Sequence, residues 1–323
     1  ENPEVADYLI EAAKWWIKET DIDGYRLDTV KHVPVEFWKR FSQEVKSVKE
    51  DFYIIGEVWV NHPSQIQPYL EAGLDGATDY PLYRTLIDTF VEPDHSLQAL
   101  FKALERNATI YEKPELMGTF IDNHDNPRFT YYVIGKNQNP ELRWKQALTF
   151  MYTTPGIPII YYGSEIALNG GNDPDNRRMM EFHTNVELVN FISKLGSIRN
   201  TYRSLTRGDL DVLYEEGGMA IYRRTYEGET TVIALNNTTE QQVVSISQEE
   251  IGKDRELAGL LNDDLIRPED GNYTFVLDPE QSEIYLVKER SGLNYATLVG
   301  SIGVVVAFVI FVFLAWKRGK NDS

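Results

Sequence analysis

The sequence predicts an α/β protein made of a parallel sheet covered by helices, followed by a small antiparallel β-sandwich and one transmembrane helix. Three observations support this class. Short apolar runs alternate with helical periodicity over residues 1–200, a period of two replaces that rhythm over residues 204–288, and residues 295–316 carry no charged side chain. The first pattern fits either an open sheet or a closed barrel.

The N-terminal part has a repeated strand-then-helix order. The predicted strands are residues 22–27, 52–55, 76–80, 116–121 and 157–162. The predicted helices are residues 5–20, 35–48, 64–72, 81–90, 97–107, 142–152 and 186–199. No glycine-rich phosphate loop follows any of these strands, so the pattern lacks the fingerprint of a nucleotide-binding sheet, and no organic cofactor is expected.

The second part alternates apolar and polar residues over short runs separated by Gly, Asn and Asp. Its predicted strands are residues 220–225, 230–235, 242–246, 273–277 and 284–287. Short alternating strands with frequent turns are typical of a small antiparallel sandwich. We assign residues 204–290 to this second domain.

The C-terminal residues 291–323 are predicted to be a membrane anchor. The helix of about 22 residues, 295–316, is long enough at about 1.5 Å per residue to cross a hydrocarbon layer of about 30 Å. Tyr295 and Trp316 lie at its two ends, and Lys317, Arg318 and Lys320 follow it. These charges predict a single-pass protein of the cell membrane with a cytoplasmic C-terminus, and everything before the helix outside the cytoplasm.

Charge and composition restrict the partners. The formal net charge is −18, from 50 acidic and 32 basic residues, so binding to the phosphates of a nucleic acid is not expected. The chain contains no cysteine, which excludes disulfides, thiolate metal sites and cysteine nucleophiles.

Acidic side chains follow the predicted strands at their carboxyl ends, where barrel enzymes build their sites. Asp28 and Glu57 end neighbouring strands, and Asp125 with His124 follows a later one. Cleavage of an acetal needs such a pair, one carboxyl group to protonate the departing oxygen and one to act at the sugar carbon. Arg26 precedes Asp28 by two residues and therefore lies on the same strand face, where it can keep that carboxylate ionised. A helix cap or an ion pair is the alternative for each acid.

The stretches GYRLDTVKH (24–32), GEVW (56–59) and FIDNHD (120–125) resemble three signature segments of the α-amylase family of glycoside hydrolases, in the same order. The resemblance implies that Asp28 is the nucleophile, Glu57 the general acid and base, and Asp125 the stabiliser of the transition state. Arg26 and His124 would support them. It implies a retaining hydrolase of α-1,4-glucosidic bonds in starch, maltodextrins or related α-glucans.

Further residues gain expected roles from the same resemblance. Lys31 and His32 resemble a pair found in amylases, cyclodextrin-forming enzymes and neopullulanases, which implies contacts to glucose units on the leaving-group side; an exposed helix start is the alternative. In many relatives the main-chain carbonyl of that histidine also binds calcium, so His32 is a candidate calcium ligand, with the other ligands expected before residue 1.

Other sugar contacts are expected nearby. NGGNDPDNRRMM (169–180) resembles a loop of maltose- and cyclodextrin-processing members, which makes Asp175 and Arg178 candidates for glucose contacts, although DPDN is also ordinary turn sequence. Trp59 is a candidate for stacking on a sugar face, with a place in the core as the alternative.

Relative to the family, residues 1–203 predict only about strands four to eight of a (β/α)8 barrel. We therefore expect the polypeptide alone to be inactive or poorly folded, and an enzyme that contains the whole barrel to be active. A neopullulanase, cyclomaltodextrinase or glucanotransferase is the alternative within the family. A non-catalytic α-glucan-binding surface protein or transporter accessory subunit is the alternative of another class, although it would have no chemical need for all three carboxylates.

Overall fold

The computed structural model describes residues 2–182, 186–290, 304 and 306–312. Its N-terminal part contains five short parallel strands, which are β1 (Gly24–Leu27), β2 (Tyr53–Gly56), β3 (Gly76–Ala77), β4 (Gly118–Thr119) and β5 (Ile157–Pro158). The strands β1, β2 and β3 form one sheet in sequence order, β4 pairs with β5, and a parallel bridge from Thr78 to Gly118 joins the two groups. The order is that of a barrel wall built one strand after another.

One helix precedes β1, and the others follow the strands. They are α1 (Pro3–Thr20), α2 (Val35–Lys46), α3 (Gln67–Glu71), α4 (Tyr80–Phe90), α5 (Gln98–Ile110), α6 (Phe129–Gly135), α7 (Pro140–Thr153), α8 (Val186–Thr201) and α9 (Arg203–Arg207). Short 3-10 turns occur at Val30–His32, Pro63–Gln65, Pro114–Leu116, Ser164–Ile166 and Asp175–Arg177.

Polar side chains cap the first turns of α1 and α7. Asn2 accepts a hydrogen bond from the Glu4 backbone N–H at 2.9 Å, and Pro3 occupies the first turn of α1. Asn139 caps α7 in the same way, ahead of Pro140. These Asn-Pro pairs start each helix two residues before the first apolar position that its periodicity indicates.

The N-terminal part differs from the prediction in the bounds of one helix, in an unpredicted helix and in the length of the strands. Residues 64–72 do not form one helix, because the 3-10 turn Pro63–Gln65 comes first and α3 starts only at Gln67, with Pro68 in its first turn. Helix α6 was not predicted, and its short run of aromatic and β-branched residues has no clear helical period. The strands are also shorter than their apolar runs, since residues such as Ile159 continue into the loops beyond the sheet.

The C-terminal part is an antiparallel sandwich. Its strands are β6 (Asp209–Glu216), β7 (Met219–Tyr226), β8 (Glu229–Asn236), β9 (Gln242–Ser247), β10 (Arg255–Gly259), β11 (Leu265–Ile266), β12 (Asn272–Leu277) and β13 (Ser282–Glu289), with a short helix α10 (Gln248–Ile251). Six strands form one sheet in the order β11-β10-β13-β8-β7-β6, and β12 pairs with β9. Strands β6, β10 and β11 were missed, because acidic residues and glycine interrupt their alternation.

A shared apolar core joins the two parts. One cluster of buried side chains runs from the barrel helices, through residues such as Leu86 and Phe150, to Tyr222 and Ile233 of the sandwich. A second cluster lies between the sheet and α1 and α2. The barrel part and the sandwich are therefore packed as one body around a common interior.

The predicted membrane helix lies largely outside the described residues. Of residues 295–316, the structure describes 304 and 306–312, which are helical with exposed side chains. Among the described residues, no helix combines the length and the apolar character needed to cross a bilayer.

Candidate active site

The register of the parallel strands brings the first two acids together. Leu27 pairs with Gly56 across β1 and β2, so Asp28 and Glu57 are the next residues on the two strands. The Glu57 backbone N–H donates to Leu27 O at 2.8 Å, and Glu57 O accepts from Val30 at 3.1 Å. Both acids therefore leave the sheet at the same level of its carboxyl edge.

Arg26 binds both carboxylates. Its Nη1 donates to Asp28 Oδ1, and its Nη2 lies 2.9 Å from Glu57 Oε1. The pKa of Asp28 is lowered, mainly by the hydrogen bond from the Arg26 guanidinium and secondly by a hydrogen bond with Glu57. This is the direction predicted for a carboxylate that its strand neighbour keeps ionised. The carboxyl groups of Asp28 and Glu57 are thus close enough for the two terminal nitrogens of one guanidinium to contact both.

Glu57 is buried, whereas Asp28 is open to solvent. The Glu57 side chain is 8% exposed and that of Asp28 67% exposed. The Glu57 Oε2 atom accepts from the Thr29 backbone N–H at 3.1 Å, and Oε1 also accepts from the Tyr80 hydroxyl at 3.4 Å. One acid is therefore fixed in place and the other is reachable from outside.

The segment after β4 brings Asp125 and His124 to the same place. His124 Nε2 lies 3.3 Å from Asp125 Oδ2. One ligand atom each of Glu57, His124 and Asp125 lies within 4.8 Å of the others. The Asn123 side chain shapes this turn, because its Oδ1 accepts from the Asp125 and Asn126 backbone N–H groups at 3.0 Å. The structure thus gathers the predicted residues of all three segments into one cluster.

Two residues that sequence reasoning missed complete this cluster. Tyr80 bridges the segments, accepting from Asn123 Nδ2 at 3.0 Å while reaching Glu57. Arg177 lies with Nη2 3.6 Å from Asp125 Oδ1, and its Nε donates to His124 O at 2.9 Å. The tandem of two arginines in the 169–180 loop was a signal for such a contact, but sequence alone could not select between them.

Buried polar residues support the turn that carries His124 and Asp125. Arg128 is fully buried and donates to Asn176 O at 2.8 Å and Tyr162 O at 2.7 Å. Its guanidinium also lies 4.0 Å from the centre of the Tyr161 ring. Asn176 in turn donates to His124 O at 2.8 Å. The 169–180 loop is therefore tied to the backbone of His124.

Asp122 lies among the same buried polar residues. Burial raises the pKa of Asp122 to about 6, although Ser164 Oγ donates to its carboxylate at 2.8 Å and Arg128 lies 3.8 Å away. Because its side chain is enclosed, Asp122 belongs to the support of the cluster rather than to its open face.

Trp59 and Lys31 flank the cluster. The Trp59 ring is 38% exposed and stacks on Tyr80, with ring centres 5.1 Å apart and an interplanar angle of 8°. Lys31 Nζ donates to Trp59 O at 2.8 Å. The predicted sugar-stacking side chain is therefore partly exposed, and it is connected to Glu57 through Tyr80.

Asp175 and Arg178 contact each other instead of the three carboxylates. Arg178 Nε donates to Asp175 Oδ1 at 2.8 Å, and both side chains are exposed. The pKa of Asp175 is lowered, mainly by the hydrogen bond from the Gly171 backbone N–H and secondly by the one from Arg178. Their expected contact with glucose remains a prediction, and within the described loop it is Arg177 that reaches Asp125.

The calcium prediction at His32 also remains open. His32 is exposed at the end of the 3-10 turn Val30–His32, where its N–H donates to Thr29 O at 3.0 Å. In the described part of the chain, the group of His, Asp and Glu side chains close enough to share a cation is Glu57, His124 and Asp125. That group does not include His32, and it is made of side-chain atoms only, so a calcium ion at the main-chain carbonyl of His32 stays a prediction.

Comparison with known proteins gives consistent similarities. Residues 208–285 match the family model of the α-amylase C-terminal domain. A cyclomaltodextrinase of Thermoanaerobacter pseudethanolicus is 35% identical over 257 residues, which are 77% of this chain and 43% of that protein. The crystal structure of an Anoxybacillus α-amylase superposes with a TM-score of 0.88 at 52% identity, covering 91% of this chain and 65% of that one.

A second solved structure is similar to the same extent. It is an α-amylase of Geobacillus thermoleovorans complexed with acarbose, with a TM-score of 0.88 and 52% identity over 90% of this chain and 65% of that chain. The chain thus spans less than half of the curated cyclomaltodextrinase and about two thirds of the solved α-amylases. The match of its sandwich, the likeness of its fold and the sequence similarity of its barrel part together support the α-amylase family for this chain.

Proposed function

We propose that the chain carries the cleavage site of a retaining glycoside hydrolase that acts on α-1,4-glucosidic bonds of α-glucans. One observation supports this most directly. A single guanidinium, that of Arg26, contacts both Asp28 and Glu57, and a third carboxylate with a histidine faces Glu57 within 4.8 Å. Retention requires two carboxyl groups about 5 to 5.5 Å apart, which such a bridge is short enough to allow.

The geometry suggests how the roles divide. Asp28, exposed and kept ionised by Arg26, attacks the anomeric carbon while Glu57 gives its proton to the departing glycosidic oxygen. Water then loses a proton to Glu57 and attacks the same carbon, so that Asp28 leaves as a carboxylate. Asp125, partly exposed and adjacent to His124, is placed to hydrogen-bond the sugar hydroxyls during both steps.

Support for the substrate class comes from the relatives. The similar proteins include a cyclomaltodextrinase and an α-amylase solved with acarbose. The open ring of Trp59 beside the carboxylates suits an apolar sugar face. Action on cyclodextrins or pullulan is the alternative within the family, and product profiles on starch, pullulan and cyclodextrin separate these preferences.

The decisive experiment uses Glu57→Gln in a polypeptide that holds these residues within a complete barrel, because all eight strands form the usual site. Losing a positioned acid commonly costs about 10²- to 10⁴-fold in rate. We expect hydrolysis of maltotriose to fall by at least this factor while acarbose still binds. Wild-type hydrolysis by the variant would remove Glu57 from the mechanism. Acarbose binding without hydrolysis by the unsubstituted protein would favour the glucan-binding alternative.

Trapping the intermediate tests the role of Asp28. A fluorinated glucosyl fluoride should leave one glucosyl group on the protein, and peptide mass spectrometry should locate it on Asp28. Attachment to Asp125 or Glu57 would reassign the nucleophile.

The membrane anchor at 291–323 is a separate proposal, supported by the uncharged run 295–316 and by the basic residues after it. We expect the protein to stay with membranes after a carbonate wash, and to be released when residues 291–323 are deleted. Release of the intact protein by the wash would contradict the anchor.

A further inference from the structure

We propose that Glu57, His124 and Asp125 form a binding site for a divalent transition-metal ion, with Zn²⁺ as its probe, and that the ion and a sugar exclude each other. Among the described residues, these three side chains supply one imidazole nitrogen and two carboxylate oxygens within 4.8 Å of one another. Catalytic zinc sites likewise use three protein ligands, with His and Glu among them, and keep a fourth position open.

The distances require a small adjustment. Ligand atoms around tetrahedral zinc lie about 3.4 Å apart, since each bond is about 2.0 to 2.2 Å long. His124 Nε2 and Asp125 Oδ2 lie 3.3 Å apart, and no pair of the three ligand atoms is more than 4.8 Å apart, so each pair must close by at most about 1.4 Å. The His124 side chain is 42% exposed and that of Asp125 23% exposed, which leaves both open to an ion from solvent.

The backbone around the pair is fixed. His124 O accepts hydrogen bonds from Asn176 at 2.8 Å and Arg177 at 2.9 Å, and the Asp125 N–H donates to Asn123 Oδ1. The ligands therefore stand on a pre-organised turn, which reduces the entropy lost when the ion binds.

The donor set selects the kind of ion. Calcium takes six to eight oxygen ligands, and magnesium keeps several waters. An imidazole with two carboxylates instead suits zinc and its neighbours in the first transition row. The two guanidinium groups nearby oppose any cation, because Arg26 lies 2.9 Å from Glu57 and Arg177 3.6 Å from Asp125. We therefore expect modest affinity, and removal of Arg177 should raise it.

Calorimetric titration of the 323-residue chain with ZnCl₂, and with MgCl₂ as control, tests the site. We expect one saturable zinc event and none with magnesium. His124→Gln should weaken zinc binding by about 10-fold or more. His95 contacts Asp88 O and is not one of the three ligands, so His95→Gln should leave zinc binding unchanged. Arg177→Gln should tighten it by about 5-fold, because a charge about 4 Å away is worth about 1 kcal/mol in water.

A second ligand variant guards against misfolding. If His124→Gln loses its far-UV circular dichroism, Asp125→Asn takes its place, with the same expected loss. Unchanged zinc binding in the folded variant, or no saturable heat up to about 1 mM zinc, would overturn the proposal of a metal site.

The mutual exclusion of zinc and sugar rests on the proposed function. The metal site itself is independent of that function. Saturating acarbose should suppress the zinc event if the sugar occupies the same groups. His124-dependent zinc binding that acarbose leaves unchanged would keep the metal site and overturn the exclusion. Separate titration of acarbose without zinc, in the complete-barrel polypeptide used for Glu57→Gln, shows whether the proposed function has failed instead.

Discussion

At the scale of single residues, the hydroxyl of Tyr80 has a defined direction. It accepts a hydrogen bond from Asn123 Nδ2 at 3.0 Å, so its own proton is available to Glu57 Oε1 at 3.4 Å. Its ring is held between Trp59, stacked at 5.1 Å, and Phe120, edge-on at 4.9 Å. Burial raises the pKa of Tyr80, so the hydroxyl keeps its proton. Tyr80 is thus a positioning residue for Glu57.

Tyr80→Phe should lower kcat by about 10-fold and change KM little, because a hydrogen bond to a charged group is worth about 1.5 kcal/mol and the stacking ring is retained. Tyr83→Phe on the same helix is the matched control, since Tyr83 stacks on Phe120 and leaves Glu57 untouched. Steady-state rates of the two variants in an active barrel decide the point. Equal losses in both would show that the effect is one of packing alone.

Asp79 is a buried carboxylate whose titration affects stability. Burial raises the pKa of Asp79 to about 6, although its Oδ1 accepts from the Leu82 backbone N–H. Asn107 Nδ2 donates to its Oδ2 at 2.7 Å, while Asn107 Oδ1 has no partner among the described residues. Between about pH 4 and pH 6, the folded state binds more protons than the unfolded one. Stability should therefore fall as pH rises through this window.

Asp79→Asn should remove this dependence and stabilise the protein at pH 7 by on the order of 2 kcal/mol. The asparagine can still cap α4, and a flip of the Asn107 amide turns its free oxygen toward the new NH₂ group. Urea unfolding of both forms at pH 4 and pH 7 measures the difference. A loss of stability at pH 7 would mean that the carboxylate is needed in its ionised form.

At the scale of elements, the buried side chain of Arg128 helps to fix the 169–180 loop. Arg128 binds the main-chain oxygens of Asn176 and Tyr162 and lies 3.8 Å from the buried Asp122. The loop then presents Arg177 to Asp125. The position of Arg177 at the cluster thus depends on Arg128, whose side chain has no contact with solvent.

Arg128→Met should cost about 3 to 5 kcal/mol of unfolding free energy, because it leaves Asp122 buried without its cation. Hydrogen exchange should speed up in residues 170–178. Arg178→Lys, in the exposed pair with Asp175, is the control and should change stability by less than about 0.5 kcal/mol. Unchanged exchange in the loop of the Arg128 variant would show that other contacts hold it.

The sequence allowed the strand-end residues to be identified, because they follow apolar runs directly. Arg26 lies in β1, and Asp28 and Glu57 directly follow β1 and β2, whose register is that of a parallel sheet. Tyr80 and Arg177 could not be identified in this way. Their contacts join segments 23 and 52 residues apart, and these depend on how helices and loops pack rather than on any local period. The same reason explains α6 and the edge strand β6, whose local patterns are weak.

At the scale of the whole molecule, the barrel part and the sandwich meet at a buried arginine. Arg143 of α7 is fully buried and donates to Phe90 O at 2.8 Å and Glu92 O at 3.2 Å. On the sandwich side it binds Asn237 Oδ1 and, at 3.0 Å, Glu280 Oε2. The same guanidinium therefore satisfies polar groups of both parts within their shared core.

Arg143→Met should destabilise the whole chain by about 3 to 5 kcal/mol, because Glu280 and two carbonyl oxygens lose their donor. Adding Glu280→Gln should recover about 1 to 2 kcal/mol, since no unpaired charge then remains at the junction. Arg40→Met, in the exposed pair with Asp7, is the control and should cost less than about 1 kcal/mol. Denaturant unfolding measures all four proteins. No recovery in the double variant would show that the carbonyl contacts, rather than the ion pair, hold the two parts together.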